Sequence, residues 1–167
     1  MRARLSTHRH TRLISALVVS AALANPLGAQ TKIEAPDNSF SVADDVKLGR
    51  EAAAEARKEL PMLNEERVDD YVERIGERLV AAIPPEYQHD EFDYTFDVVN
   101  QKEINAFALP GGPMFLNRGM MEAAKSEAEM AGVMAHEISH VALRHGTAQA
   151  TKGEKFQIGA IAGQVLG

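Results

Sequence analysis

The sequence predicts an α+β fold, mostly helical with a small antiparallel sheet, and three observations lead there. Apolar residues recur at spacings of three and four through two early stretches, switch to a spacing of two from Phe92 to Val98, and return to helical spacing after Ser126. With 167 residues and 45% hydrophobic content, the chain can bury one modest core, so a single globular domain is expected. There is no internal repeat and no low-complexity tract.

The first 29 residues read as something other than that domain. A basic segment with Arg2, Arg4, Arg9 and Arg12 precedes an apolar run from Leu13 to Leu23 and then small residues, the order of a secretory signal peptide. Cleavage after Ala24 or Ala29 fits, and Ala29 is favoured because it lies just past Pro26. The run is short for a bilayer span, which argues against a retained anchor. Without those arginines, 14 of the 18 basic residues face 24 acidic ones, a balance near −10. Such an acidic chain is a poor partner for nucleic acid or an anionic membrane surface. The absence of cysteine excludes disulfides, so packing or a metal must hold the fold.

Residues 30–40, with Pro36, Asp37 and Asn38, read as a linker. Ser41 and Asp44 offer a helix N-cap, and Val46, Leu48, Ala52, Ala53 and Ala56 keep helical spacing until Pro61 stops it. A second helix runs from about Glu65, with Val68, Tyr71, Val72, Ile75, Leu79 and Ile83 on its apolar stripe, and ends at Pro84-Pro85. The charges alternating along both helices read as a solvated outer face. Phe92, Tyr94, Phe96 and Val98 alternate with polar residues as a half-buried strand does. Ile104 to Leu109, the turn Pro110-Gly-Gly-Pro113 and Met114 to Leu116 form a hairpin in which Gly111 or Gly112 takes positive φ. A short helical piece spans Met120 to Ala124. Ser126 and Glu129 form a capping box for the next helix, whose buried stripe is Met130, Val133, Met134, Ile138 and Val141, with Gly146 as its left-handed terminator. The apolar tail 156–167 carries Gly159, Gly163 and Gly167 four apart, a spacing suited to close helix packing.

Within the capped helix lies His136-Glu137-Ile138-Ser139-His140. Two histidines four apart project from one helix face, so both imidazoles can reach one zinc ion, with Glu137 beside them as general base. A catalytic zinc needs a third protein ligand and an open position. In such a site the metal lowers the pKa of water and polarises the scissile carbonyl, while Glu137 takes the water proton and passes it to the leaving amine. His145 falls five residues after His140, with Leu143 between. It reads better as a residue at the helix C-terminus than as the missing ligand. Glu154 is the other candidate, and it lies too close to the helix end.

Asn105-Ala-Phe-Ala-Leu-Pro-Gly-Gly112, Ser126 to His140 and Arg144-His145 together resemble family 48 of the metallopeptidases, the HtpX-like and CAAX-prenyl-protease-like zinc gluzincins. The resemblance spans roughly Phe40 to Gly167 and is strongest to exported bacterial members that are soluble or membrane-associated. It implies a zincin-like fold, one Zn2+ per chain, polypeptide substrates and a third zinc ligand that is a glutamate on a later helix. No such helix precedes Gly167, so residues 41–167 are expected to be the N-terminal part of a peptidase domain. The resemblance also implies that Asn105, Ala106, Phe107 and Ala108 form an edge strand that pairs with substrate backbone. An ordinary hairpin strand with Phe107 in the core is the competing reading.

The expected protein is thus an exported zinc metalloendopeptidase, periplasmic or held at the periplasmic side of a membrane, acting on envelope proteins in quality control. Its metal ligands are His136 and His140, its base is Glu137, and its substrate strand is Asn105 to Ala108. The alternative is a catalytically incomplete periplasmic binding or chaperone-like module of the same fold.

Overall fold

The computed structural model describes residues 33–152. The signal-peptide reading, the start of the linker, Glu154 and the apolar tail fall outside the described residues.

Helix α1 spans Val42–Glu59 and starts as its sequence dictates. The Ser41 hydroxyl accepts the Asp44 N–H, and the Asp44 carboxylate accepts the Ser41 N–H at 2.8 Å. Leu60 leaves the helix in extended conformation ahead of Pro61. Helix α2 spans Glu66–Val80 and buries Val72, Ile75 and Gly76. It stops three residues short of Ile83, because Ala82 and Ile83 turn back onto the carbonyls of Leu79 and Val80. A 3-10 turn follows at Pro85–Tyr87.

Three strands, β1 (Phe96–Val99), β2 (Ala106–Ala108) and β3 (Met114–Asn117), form a mixed sheet in the order β1-β3-β2. The β2–β3 hairpin is antiparallel as expected, whereas β1 pairs with β3 in parallel, with Phe96 opposite Met114. β1 is also shorter than its alternating pattern. Residues 92–95 cross the hairpin turn instead, where Asp93 N–H donates to Gly111 O at 2.8 Å. Gly111 and Gly112 both take positive φ, 78° and 127°.

The central strand is buried throughout, and its alternation divides the core. Met114 and Leu116 face α2 and the helix that carries His136 and His140, joining Val72, Ile75, Val98, Met130, Met134 and Ile138. Phe115 faces α1 with Ala53, Leu60, Val99 and Leu109, and stacks on Phe107 with ring centroids 5.0 Å apart. The Phe107 side chain therefore serves packing.

Helix α3 (Arg118–Ala123) leads to α4 (Glu127–Ala142), which carries the histidines. Ser126 Oγ accepts the Glu129 N–H, while the Glu129 carboxylate takes the Lys125 N–H at 2.8 Å, one residue before the cap. The buried stripe is Met130, Met134, Ile138, Val141 and Ala142, and Val133, expected within it, is 36% exposed. Nor does Gly146 end this helix. The left-handed residue is Arg144, at φ 56°, and helix α5 (His145–Thr151) begins directly after it. Arg144 is fixed there by the Asp45 carboxylate at 2.5 Å and by the Phe40 carbonyl at 2.7 Å. The solvated-face reading of α1 fails at Asp45, which is 1% exposed.

Candidate metal centre

His136 and His140 stand one turn apart on the face of α4 opposite the apolar stripe, because four residues advance a helix by slightly more than one turn. Their rings are perpendicular, with centroids 4.6 Å apart, and their Nε2 atoms face each other at 3.0 Å. Two imidazole nitrogens sharing a tetrahedral zinc at normal bond lengths stand about 3.3 Å apart. The pair thus presents two borderline-soft nitrogens at almost the spacing the ion demands, and it fits the metal the motif calls for.

Glu137 lies between them in sequence but turns its carboxylate to β2, where the Ala108 backbone N–H donates to it. It is half-buried, and burial pushes its carboxyl above the usual carboxylate range. The charges of His140 and His136 and a hydrogen bond from the Ala108 backbone pull it back down. A carboxylate so balanced can both take and return a proton.

That backbone bond places the predicted substrate strand against Glu137. Asn117 N–H donates to Asn105 O, and Leu109 N–H donates to Pro113 O. Odd-numbered residues of β2 therefore pair with β3, and the backbone groups of Ala106 and Ala108 point away from it, toward the open edge. Asn105 is exposed, Ala106 and Ala108 are half-buried, and Phe107 is buried against Phe115.

His145 comes into the site from the other side. Its Nδ1 lies 2.6 Å from His140 Nδ1, on the ring edge away from His136. Burial and the charge of His140 lower its pKa. It starts α5 rather than finishing α4, so it is not the helix C-terminal residue expected, although it packs against His140 at the end of that helix. Among the described residues, no group of three or more His, Cys, Asp or Glu side chains is arranged to hold a metal ion. His89, which sequence reasoning passed over, places Nε2 3.2 Å from the Ala142 carbonyl at the end of α4. The Asp45–Arg144 pair was likewise missed, since nothing in the spacing of α1 separates a buried aspartate from its solvated neighbours.

An α+β domain whose capped helix holds two facing imidazoles and a carboxylate beside a sheet edge has the layout of a metallopeptidase domain. The model of peptidase family M48 matches residues 66–166, and the chain belongs to that family. It is 30% identical over 165 residues to a protein of Vibrio cholerae named putative beta-barrel assembly-enhancing protease, covering 93% of this chain and 33% of the relative. The beta-barrel assembly-enhancing protease of Escherichia coli strain K12 is 32% identical over 108 residues, 65% of this chain and 21% of the relative. A mitochondrial metalloendopeptidase OMA1 of Arabidopsis thaliana is 41% identical over 61 residues, 36% of this chain and 13% of the relative. The chain thus spans about a third or less of the length of these relatives. No helix among the described residues is long and apolar enough to cross a membrane.

Proposed function

We propose that this chain carries the central part of the active site of a zinc-dependent metalloendopeptidase that cleaves exported or envelope polypeptides. The observation that carries the reading is the facing Nε2 pair of His136 and His140 on the helix whose Glu137 meets the sheet edge. Zinc bound there would lower the pKa of water and polarise the scissile carbonyl. His136 and His140 would supply two ligands, and the family resemblance implies a glutamate outside the described residues as the third. Glu137 takes a proton from the attacking water and delivers it to the leaving amine, a task suited to a carboxylate lifted by burial and restrained by its neighbours.

The substrate is held as an added strand. The outward backbone groups of Ala106 and the carbonyl of Ala108, whose N–H is taken by Glu137, pair with an extended peptide, Asn105 flanks its entry, and Phe107 secures the strand from behind. Backbone pairing recognises extended chain with little regard to side chains, as quality control of misassembled proteins requires. The leader reading supports a periplasmic location or a position at the periplasmic side of a membrane. The relatives named for beta-barrel assembly support envelope proteins as substrates.

The test is Glu137→Gln in the full-length protein. Expected are one zinc per chain in both forms and caseinolytic activity reduced by roughly 10³-fold in the variant. Wild type without zinc, or a variant that still cleaves casein at the wild-type rate, would refute the assignment.

A further inference from the structure

The contact between His140 and His145 has a chemical content that helix packing does not require. Two imidazole Nδ1 atoms at 2.6 Å must share one proton, since two bare nitrogens repel and two N–H groups collide. His140 has only two ring nitrogens, and Nε2 is the one turned toward His136 at 3.0 Å. A ligand that coordinates through Nε2 carries its proton on Nδ1, and the group accepting that proton fixes both tautomer and ring orientation. With zinc on His140 Nε2, the acceptor would be His145 Nδ1 and His145 the Nε2–H tautomer.

The backbone is built to hold it there. Arg144, at φ 56°, turns the chain between α4 and α5 so that His145 comes back over the last turn of α4. The Arg144 guanidinium is anchored in turn by Asp45 and Phe40 O. Thr147, two residues on, is 1% exposed and accepts a hydrogen bond from the Asn38 side chain at 2.8 Å. Both ends of the turn are thus fastened to the segment that opens α1.

We infer that His145 is a positioning residue for the zinc centre, holding His140 as the Nδ1–H tautomer with Nε2 aimed at the metal. The role rests on the zinc reading above, and it explains why His145 approaches the site without joining His136 and His140 as a ligand. It also sets a rule for substitution. In His145→Asn the amide oxygen would stand near the Nδ1 position of the native ring, whereas the longer side chain of His145→Gln would put its oxygen near Nε2.

The experiment compares wild type with His145→Asn, His145→Gln and His145→Ala in the full-length protein. Zinc affinity is measured by competition with a chromophoric chelator, and the His140 tautomer by 15N NMR of the metal-free protein. Expected are an Nδ1–H His140 in wild type and His145→Asn, with zinc affinities within a few-fold of each other. In His145→Gln and His145→Ala the Nε2–H tautomer should appear and zinc affinity should fall by about 10- to 100-fold. A merely structural role would treat the asparagine and glutamine variants alike, since these side chains match in polarity and nearly in size. Unchanged tautomer and affinity in His145→Gln and His145→Ala, with wild type binding zinc normally, overturns the positioning role alone. Wild type that binds no zinc overturns the metal reading, and the positioning role falls with it.

Discussion

Arg144 Nε lies 2.5 Å from Asp45 Oδ2, joining the residue between the histidine helix and α5 to the first turn of α1. The aspartate is 1% exposed and the arginine 17%, so the pair is largely shielded from solvent screening. The same guanidinium donates to Phe40 O, and this one side chain holds a left-handed backbone that a non-glycine residue adopts at a cost.

Asp45→Ala should therefore destabilise the fold by about 3 kcal/mol, because it leaves a buried guanidinium without its counter-charge. Arg144→Gly strands the more deeply buried Asp45 carboxylate and should also destabilise, with part of the loss offset because glycine accepts positive φ freely. Urea denaturation of the two single variants and the double variant measures the coupling. A loss below about 1 kcal/mol for Asp45→Ala would show that the pair contributes little.

Two glycines predict different penalties. A Cβ at Gly76 would run into the tip of the Phe96 ring, and a Cβ at Gly49 would overlap the Pro110 carbonyl oxygen. Gly76→Ala should cost about 1–3 kcal/mol and be relieved by Phe96→Leu. Gly49→Ala should cost more and have no side-chain remedy, because the obstacle is backbone. Thermal melts that rank the two the other way would contradict this packing of α1 on the hairpin turn.

The start of α1 carries a pH dependence. The Ser41 hydroxyl and backbone hold the Asp44 carboxyl below its ordinary value of 3.8. A folded-state pKa below the unfolded one contributes stability at pH values above 3.8, and that contribution disappears as pH falls through the folded-state value. Asp44→Asn should therefore lower stability at pH 7 and match wild type in strong acid. Parallel stability curves across that range would remove Asp44 from the account.

Substrate pairing at β2 predicts a split in kinetic constants. Ala106→Pro removes an outward N–H from an edge strand, a place where proline is tolerated. In full-length protein KM for peptide should rise about tenfold, with kcat changed less than twofold and Tm nearly constant. Asn105→Ala should act in the same direction and more weakly. An unchanged KM in both would leave β2 as a packing strand only.

Much of this arrangement was legible in the sequence because local rules and tertiary packing agree. Ser41, Pro61, Ser126 and the Pro110-Gly-Gly-Pro113 turn mark their boundaries by capping and backbone chemistry, and the structure keeps each of them. His136, Glu137 and His140 lie together because helical spacing alone brings them together. What escaped was decided between distant segments. Whether β1 lies parallel or antiparallel depends on which hairpin arm it meets, and Phe92 to Val98 carries no mark of that choice. Asp45 looks like any acidic residue of a first helical turn until Arg144, 99 positions away, arrives to neutralise it. Gly146 is the natural helix terminator by residue type, yet the long-range anchor of Arg144 outweighs glycine's intrinsic preference.

The shortness of β2 has a bearing on how the molecule lives at high concentration. A sheet edge that welcomes one extended chain welcomes another copy of itself equally well, and long bare edges seed aggregates for that reason. β2 is three residues long, its middle residue turns its hydrogen bonds inward, and α4 stands against it. Only two residues face outward, which under the proposed pairing would orient a peptide beside Glu137 but gives a neighbouring molecule too little ladder to zip onto. An edge so short could serve the proposed substrate pairing without making the protein its own ligand.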